Sequence, residues 1–438
     1  IGSYSANAEA SGTILNDELV KVNLSSGPAV VNGEIYAEES AGVFSVYTIS
    51  LTTVDSAGNN LHSGADFSGF SVTLAATLSS CADTDITSAC ATSGTDYSIT
   101  AGDLINLSTL GNGNEVIELS FTDDSIVEPD ETGTLTLALS AGSEHFIFNH
   151  SEVDGKSLNI TIENDDVINP NITAASEEGN EGNSGDSHVN FTISLGAQVA
   201  SNVSDLSLAI TDSCQVDAST GCGNDTDYTV SPTTLNLTGS DGSETVVLTI
   251  EGDTTIEPDE IVTLTIGLAN GSNAGYLSDE FESSAAKSDS YKIVNDDFLQ
   301  ITVPSNVTLN ESHEDKSFSV TVSGSVAENV GKVSITLQLD ATCSGNICAD
   351  SDDVNALSET VLHNAGNATV FNSDTYTLVT VVDDNLVEPT ERFDGLMTIS
   401  GGEYTNLSSP ASFSFNIVSD DKITMNSPSV TGSPVAEG

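Results

Sequence analysis

The chain has 438 residues, and its 66 Asp and Glu against 8 Lys and Arg give a formal net charge of -58 at pH 7. This charge excludes nucleic acid as a partner, because binding phosphates requires clustered cations, and it disfavours anionic membrane surfaces. Self-repulsion also opposes compact folding, so we expect divalent cations or a salt-rich medium to neutralise part of the charge. No run of 18 apolar residues occurs, so no membrane span is predicted.

The predicted elements are short strands in which apolar and polar residues alternate, as expected for antiparallel sheets. Helical periodicity is absent over long stretches. The clearest strand segments, in chain order, are residues 116–123, 134–140, 246–253, 262–268, 333–340 and 376–384.

Two acidic phrases recur along the chain and divide it into repeats of roughly 130 residues, the size of one small domain. The first reads DDSIVEPDE from Asp123, GDTTIEPDE from Gly252 and DDNLVEPTE from Asp383. The second is a pair of aspartates after a strand-like segment, as in IENDD, KIVNDD and NIVSDD. The predicted domains are the tail of a preceding repeat at 1–19, three repeats at 20–166, 167–297 and 298–421, and the start of a following repeat at 422–438.

Repeats of this size with alternating strands predict an all-β fold, namely tandem immunoglobulin-like β-sandwiches arranged end to end. The linkers are nearly absent, because each closing aspartate pair runs within a few residues into the next strand. We therefore expect a stiff rod of domains.

The acidic phrases are expected to meet at one tip of each sandwich. Asp123 ends strand 116–123 and Asp124 follows it. Pro129 marks a turn because it cannot donate to a sheet ladder, and the closing pair Asp165 and Asp166 ends the last strand. Several carboxylates in one small volume cannot all stay ionised without a counter-charge, and the chain offers only 1 Arg and 7 Lys. Ligands that are all oxygen select calcium, or less readily magnesium.

The DD-x-x-x-E-P-D-E phrase, preceded by GTDY at Gly94 and closed by NDD, resembles the Calx-beta repeat of sodium–calcium exchangers and cell-surface adhesion proteins. The resemblance implies Calx-beta-type β-sandwiches with calcium at the tip, next to the following domain. The implied ligands are the opening acids Glu39, Glu181 and Glu311; the mid-domain acids Asp96, Asp227 and Asp352; the acids of the first phrase, Asp123, Asp124, Glu128, Glu131, Asp253, Glu257, Glu260, Asp383, Asp384, Glu388 and Glu391; and the closing acids Asp165, Asp166, Asp296, Asp297, Asp420 and Asp421.

This sequence departs from the pattern at Gly252, where the other repeats have aspartate, and at Thr390, where they have Asp130 and Asp259. The alternative to a calcium site is that these acids cap strands and turns on a very acidic surface without an ion.

The six cysteines form three local pairs, one per repeat: Cys81 with Cys90, Cys214 with Cys222, and Cys343 with Cys348. We expect three short-loop disulfides, because two cysteines per repeat without matching histidines fall short of a zinc site. Disulfides indicate an oxidising space, extracellular or at the cell surface. Among the fourteen Asn-X-Ser/Thr sequons, the candidates for glycosylation are Asn23, Asn106, Asn171, Asn236, Asn306 and Asn406.

The chain is not expected to be an enzyme, because no catalytic motif occurs. Its histidines do not recur in register and are interpreted as loop residues or local hydrogen-bonding groups; they are His62, His145, His150, His188, His313 and His363.

The leading hypothesis is a structural segment of a long extracellular repeat protein: a stalk, fibre or filament shaft, with an adhesive role. Its partners would be neighbouring copies or repeats of the same protein, and a surface glycan or protein receptor outside this chain. Two alternatives remain: a calcium-regulated ectodomain that switches a partner contact, and a carbohydrate-binding accessory region of a secreted enzyme. With no Trp and nine Tyr, the stacking platform that such a region uses is hard to assemble.

Overall fold

The computed structural model describes residues 19–27, 34–55, 57, 59–60, 73–79, 89–90, 97–99, 104–106, 114–139, 146–148, 156–216, 219–220, 227–283, 287–312, 316–339, 349, 352–356 and 358–425. Within these residues the predicted all-β class is confirmed, because strands dominate and the α-helix is limited to α1 (Asp279–Ser283). No helix in the described part of the chain is long and apolar enough to cross a membrane.

The first sandwich contains two facing sheets, with strand orders β11-β1-β3-β8-β6 and β2-β12-β10-β4-β7, and β5 beside β10. A 3-10 turn, Glu39–Ala41, follows β2. The strands are β1 (Leu19–Ser26), β2 (Glu34–Glu38), β3 (Val43–Val54), β4 (Thr73–Ser79), β5 (Ala89–Cys90), β6 (Tyr97–Ile99), β7 (Leu104–Asn106), β8 (Asn114–Phe121), β9 (Ile126–Val127), β10 (Glu131–Leu139), β11 (Phe146–Phe148) and β12 (Lys156–Glu163).

The second sandwich has sheets in the orders β13-β15-β21-β19 and β14-β24-β23-β17-β18, with β20 beside β17. A 3-10 turn, Ala274–Tyr276, precedes α1. The strands are β13 (Asn171–Ala174), β14 (Glu178–Asn180), β15 (Gly185–Ser194), β16 (Gln198–Val199), β17 (Ser207–Val216), β18 (Ser219–Thr220), β19 (Tyr228–Ser231), β20 (Thr234–Asn236), β21 (Ser243–Gly252), β22 (Thr255–Ile256), β23 (Glu260–Leu268) and β24 (Lys287–Val294).

The third sandwich has sheets in the orders β22-β27-β31-β29 and β26-β33-β32-β28-β30, with β25 beside β27. A 3-10 turn, Gly402–Tyr404, precedes the last strand. The strands are β25 (Gln300–Thr302), β26 (Val307–Asn310), β27 (Ser317–Val326), β28 (Val333–Leu339), β29 (Val354–Ala356), β30 (Thr360–His363), β31 (Thr369–Val381), β32 (Glu391–Ser400) and β33 (Ala411–Val418).

The three sandwiches share one topology. In the second, β13-β15-β21-β19 and β14-β24-β23-β17 correspond to the ABED and CFG sheets of an immunoglobulin sandwich, with a short extra strand beside G. The first and third sandwiches repeat this order with their own strands. The predicted domain limits themselves stay a prediction.

Each sandwich encloses its own apolar core, because every second residue of its strands points inward. The burial of β23 alternates in this way along its length. The cores are built around Ile49 and Ile117 in the first sandwich, Phe191 in the second, and Phe318 and Phe393 in the third.

Successive sandwiches are joined by a short segment of the first acidic phrase. β9 pairs in parallel with β16 of the second sandwich, and β22 pairs in parallel with β27 of the third. Val127 and Ile256 are each 0% exposed, and each belongs to the apolar core of the following sandwich. We call these two pairs of residues, Ile126–Val127 and Thr255–Ile256, plugs, because each inserts a side chain into the next domain.

The plug predicts that an apolar residue of the first sandwich stabilises the second. Val127→Ala should lower the free energy of unfolding by about 1–3 kcal/mol, because it removes fully buried methyl groups. Val43→Ala in the same sandwich is the matched control, since Val43 is 59% exposed, and it should cost less than about 0.5 kcal/mol. Denaturant unfolding measures both values, and equal effects would contradict the plug.

Candidate metal centre

Strand direction brings the predicted acids to one tip of each sandwich. In the second sandwich, β21 ends at the tip, β23 starts there, β24 ends there beside the parallel strand β14, and β19 starts there. Acids that follow or precede these strand ends therefore converge. The register repeats, because Glu131, Glu260 and Glu391 all start the corresponding strand opposite an isoleucine of the last strand.

The first sandwich holds a three-carboxylate group at this tip, formed by Glu39, Asp124 and Asp166. One oxygen from each lies within 4.8 Å of the others. Ligands about 2.4 Å from one calcium ion lie at most about 4.8 Å apart, so the spacing is compatible with a shared cation. Asp124 also accepts a hydrogen bond from the backbone N–H of Ile126 at 2.7 Å, which fixes the turn leading to the plug.

The third sandwich repeats this arrangement with Glu311, Asp384 and Asp421, again within 4.8 Å of one another. Asp384 accepts a hydrogen bond from Leu386 N–H at 2.7 Å, as Asp124 does from Ile126. The recurrence of both the oxygens and the turn shows that the arrangement belongs to the repeat. We call these two sets the tip clusters.

The second sandwich arranges the equivalent acids differently, and no such group forms among its described residues. Glu181 Oε1 accepts a hydrogen bond from Asp253 N–H at 3.2 Å, and Asp297 Oδ1 accepts one from the Asn183 side chain. A Cβ at position 252 would lie 2.5 Å from the carbonyl oxygen of Gly182. Glycine is therefore required there, which explains the departure of Gly252 from the repeat pattern.

A second group of carboxylates lies in the third sandwich, formed by Asp353, Glu388 and Glu391 within 4.8 Å of one another. This group contains Asp353, the neighbour of the predicted mid-domain acid Asp352, whose own role stays a prediction. Register places Asp353 there: it directly precedes Val354, which pairs with Val381, as Asp227 directly precedes Tyr228, which pairs with Ile250.

The equivalent acids of the other repeats are also at the tip. In the second sandwich Glu257 and Glu260 are buried and Asp227 is half-buried, and in the first sandwich Glu131 is buried. Asp96, the predicted mid-domain acid of the first repeat, lies outside the described residues.

The two aspartates of each closing pair have different roles. The first of each pair accepts a hydrogen bond from the residue after the opening glutamate: Asp165 from the Ser40 hydroxyl, Asp296 from Gly182 N–H and Asp420 from the Ser312 hydroxyl. The second of each pair faces the acids of the tip. Asp165, Asp296 and Asp420 were predicted as ligands, and the structure places them in these loop contacts.

The leading aspartates of the first phrase are also outside the tip clusters. Asp383 forms an ion pair with Lys316 at 3.1 Å, and Asp123 is exposed. The sequence pattern gave both members of each aspartate pair the same role, whereas the backbone presents only the second member to the cluster.

Residues without an assigned role hold the tip together. Asn164 Oδ1 accepts a hydrogen bond from Glu128 N–H at 2.9 Å, and Asn295 repeats it with Glu257 N–H at 3.0 Å. Asp130 and Asp259 accept hydrogen bonds from the backbone N–H groups of these asparagines. Sequence interpretation could have found these asparagines, because the asparagine of the NDD phrase recurs at the same offset in two repeats.

Within the described residues, the buried carboxylate oxygens at the tips that lack a hydrogen-bond donor include Asp166 Oδ2, Asp297 Oδ2, Glu311 Oε2 and Asp421 Oδ2. Leaving a buried acceptor unsatisfied is costly, and more so when the group is charged. A cation at the tip would satisfy these oxygens, so the residues present fit a hard divalent ion such as calcium.

The electrostatics of the tips also favour a positive partner. Burial, reinforced by neighbouring carboxylates, raises the pKa of Glu39 to about 7. Burial likewise raises the pKa of Glu181 to about 7, although the hydrogen bond from Asp253 N–H opposes the shift. Burial is also the main cause of the raised pKa values of Asp166, Asp297 and Glu311. The tips therefore take up protons when no cation is bound.

The predicted disulfides are described in part. Cys214 is disulfide-bonded, whereas Cys81, Cys222, Cys343 and Cys348 lie outside the described residues and the side chain of Cys90 is not described. The three pairings stay predictions.

Among the glycosylation candidates, Asn171, Asn236 and Asn306 are exposed, and the side chain of Asn106 is not described. Asn406 is held by β25, the first strand of its sandwich, because its Oδ1 accepts from Ile301 N–H at 2.7 Å and its Nδ2 donates to Ile301 O at 3.3 Å. Asn23 also donates through Nδ2, to Thr52 Oγ1 at 2.9 Å. Modifying either of these two asparagines would sacrifice an internal hydrogen bond.

Two histidines are described, and both are local hydrogen-bonding groups. His188 contacts Thr249 Oγ1 at 3.1 Å. The buried His363 contacts Thr369 Oγ1 at 3.0 Å and Val330 O at 3.2 Å. The others, His62, His145, His150 and His313, lie outside the described residues.

No family model and no curated protein matches the chain. Solved structures similar to it include CBD12 from CALX1.2 (14% identity, TM-score 0.21, covering 60% of this chain and 88% of that one) and the apo form of the Calx CBD1 domain (16%, 0.20, 34% and 99%). The human desmocollin-1 ectodomain is also similar (11%, 0.22, 89% and 60%). At these TM-scores the likenesses carry no argument about function.

The raised pKa values predict a pH dependence in the presence of a chelator. Because the folded-state pKa of Glu39 and Glu181 is about 7 and the unfolded value is about 4.5, the folded state binds more protons between these limits. Their contribution to stability is therefore present at about pH 4.5 and is lost as the pH rises through about 7.

The measurement is the Tm in chelator between about pH 5 and pH 8. The double variant Glu39→Gln and Glu181→Gln should lose part of the decline in Tm with rising pH, whereas the exposed Glu403→Gln should keep the native slope. A native slope in the double variant would show that these two groups do not titrate as the geometry implies.

Proposed function

We propose that this chain is a structural segment of a long extracellular or cell-surface repeat protein, stabilised at its domain tips by calcium. The observation that carries the proposal is that one short loop bears both a member of a tip cluster and a plug. In the first repeat, Asp124 and Val127 lie three residues apart, and the intervening turn is closed by the Asp124 side chain. Holding Asp124 with a cation thus also holds the segment that docks into the next sandwich.

The mutual repulsion of the acids is the physical reason for a cation at the joint. Glu39, Asp124 and Asp166 would repel one another when ionised, and the turn that leads to the plug would loosen. A divalent ion replaces repulsion with attraction at the same position. The ion would thereby fix the position of one domain relative to the next, as a stalk, fibre or filament shaft requires.

The composition supports the same setting. The net charge of -58 keeps separate chains apart and makes divalent cations at millimolar extracellular levels an effective counter-charge. Short-loop disulfides, one per repeat, would staple each sandwich in an oxidising space. The Calx-beta resemblance favours the same assignment, with a surface glycan or protein receptor outside this chain as the adhesion partner.

A regulated ectodomain would use the same joints as a switch. The shaft hypothesis and the switch hypothesis differ in how far removal of the cation changes the relative placement of domains. Small-angle scattering in calcium and in chelator separates them, because a static shaft keeps nearly the same maximum dimension and a switch does not.

Calcium is expected to raise the thermal stability of the chain. At a free concentration about 100 times the Kd, one site adds about 2.7 kcal/mol, which corresponds to a Tm increase of roughly 5 °C or more for a domain of this size. The comparison is thermal unfolding at low salt in about 1 mM calcium and in chelator.

Two isosteric variants test whether the calcium-dependent increase in Tm arises at the tip clusters. Asp166→Asn and Asp421→Asn should each remove much of the calcium-dependent increase, because each deletes the charge of a tip-cluster oxygen. Asp374→Asn, which removes an exposed charge on β31, should retain the full increase. If the native chain unfolds at the same temperature with calcium and with chelator, the calcium part of the proposal fails.

A further inference from the structure

The tip of the third sandwich exposes a group of apolar side chains. Leu386 is 60% and Val387 is 51% exposed, and Ile423 and Met425 beyond the closing aspartates are 79% and 89% exposed. The two segments lie side by side at this tip, because the Ser419 hydroxyl, just before the closing aspartates, donates a hydrogen bond to Leu386 O at 3.1 Å. We call these four apolar residues the end face.

The equivalent residues of the first two repeats are buried. Val387 lies three residues after Asp384, as Val127 lies three residues after Asp124 and Ile256 three residues after Asp253. Val127 and Ile256 are fully buried in the following sandwich. Leu386–Val387 is therefore the counterpart of the two plugs in the third repeat.

Each buried plug meets the same structural element. Val127 O accepts a hydrogen bond from Ala200 N–H at 2.9 Å, directly after β16, and Ile256 O accepts one from Ala327 N–H at 3.0 Å, directly after β27. The receiving strand runs parallel to the plug in both cases. The receptor is thus an edge segment of a sandwich of the same type, with an apolar pocket beside it.

The second exposed segment of the end face also corresponds to residues that are buried in a following sandwich. Ile423 lies two residues after Asp421, as Ile168 follows Asp166 and Leu299 follows Asp297. Ile168 and Leu299 are fully buried and bridge to Leu277 and Thr405 inside the following sandwich.

We propose that the end face of the third sandwich docks one further sandwich of this repeat type, belonging to the same polypeptide. In both joints the chain enters its receptor two residues after the closing aspartate, so plug and linker reach one domain together. A tether also supplies a high effective concentration, which a separate copy of so acidic a chain would lack because like charges repel.

The test lengthens the chain with a probe sandwich. Residues 1–421 are followed directly by a second copy of residues 167–297, so that the probe is joined as the second sandwich is joined to the first. Hydrogen exchange of the peptide covering residues 384–390, which occurs once in the lengthened chain, reports docking of Val387. We expect exchange about tenfold slower or more than in the 438-residue chain.

A matched pair of variants makes the result specific. Val387→Asp in the lengthened chain should abolish the added protection, and Val43→Asp, which replaces a valine of similar exposure in the first sandwich, should leave it intact. The measurement is made in calcium and in chelator, so that failure of the calcium proposal does not obscure the result.

Three outcomes would overturn the inference. The first is equal exchange in the lengthened and 438-residue chains, and the second is full protection in Val387→Asp. The third is concentration-dependent protection in the 438-residue chain itself, which would assign the end face to a second copy.

Discussion

The structure depends on the convergence of strand ends that carry carboxylates. Inward alternation of apolar residues fixes the register of each sheet, because a slip of one residue would turn the core side chains to solvent. That register places Glu131, Glu260 and Glu391 at the same position in all three sandwiches. The hydrophobic core thus holds at one tip a set of charges that would otherwise separate.

This concentration of charge lies beside an apolar contact between domains. An open cleft next to the first joint is lined by Asp124 and Ile126 from one side and by Gln198 and Asp241 from the other. Docking buries the plug and hydrogen-bonds its backbone, which stabilises the joint, while ionised acids at the same place oppose it. The balance between these terms is set by whatever neutralises the tip, so proton or cation uptake and domain docking are linked.

The sequence predicted the repeats, the all-β class and the meeting of the acidic phrases, because periodic strands and strand-end acids are local patterns. It did not separate the members of each aspartate pair, since Asp165 and Asp166 look alike until a backbone turns one of them towards Ser40. The presence of Asp353 in the second carboxylate group of the third sandwich could not be predicted for the same reason, because only the pairing of Val354 with Val381 sets the register.

The plugs were not predicted from the sequence, for a different reason. A single valine or isoleucine between acids, as in DDSIVEPDE, is typical of a loop. It is buried only because a neighbouring domain covers it. Contacts of this kind become visible only when the following sandwich is in place. The role of Asn164 was also not predicted, because its hydrogen bond with Glu128 N–H joins two segments 36 residues apart.

The second tip shows how one repeat can keep the joint with less dependence on a cation. Its opening loop approaches so closely that position 252 must be glycine, and this approach lets Asp253 N–H and the Asn183 side chain donate to Glu181 and Asp297. Protein donors there satisfy part of what a cation would satisfy at the other tips. Because its plug, Ile256, is as deeply buried as Val127, docking itself does not require a complete tip cluster. Cation dependence can therefore vary from joint to joint while the apolar contact between sandwiches stays the same.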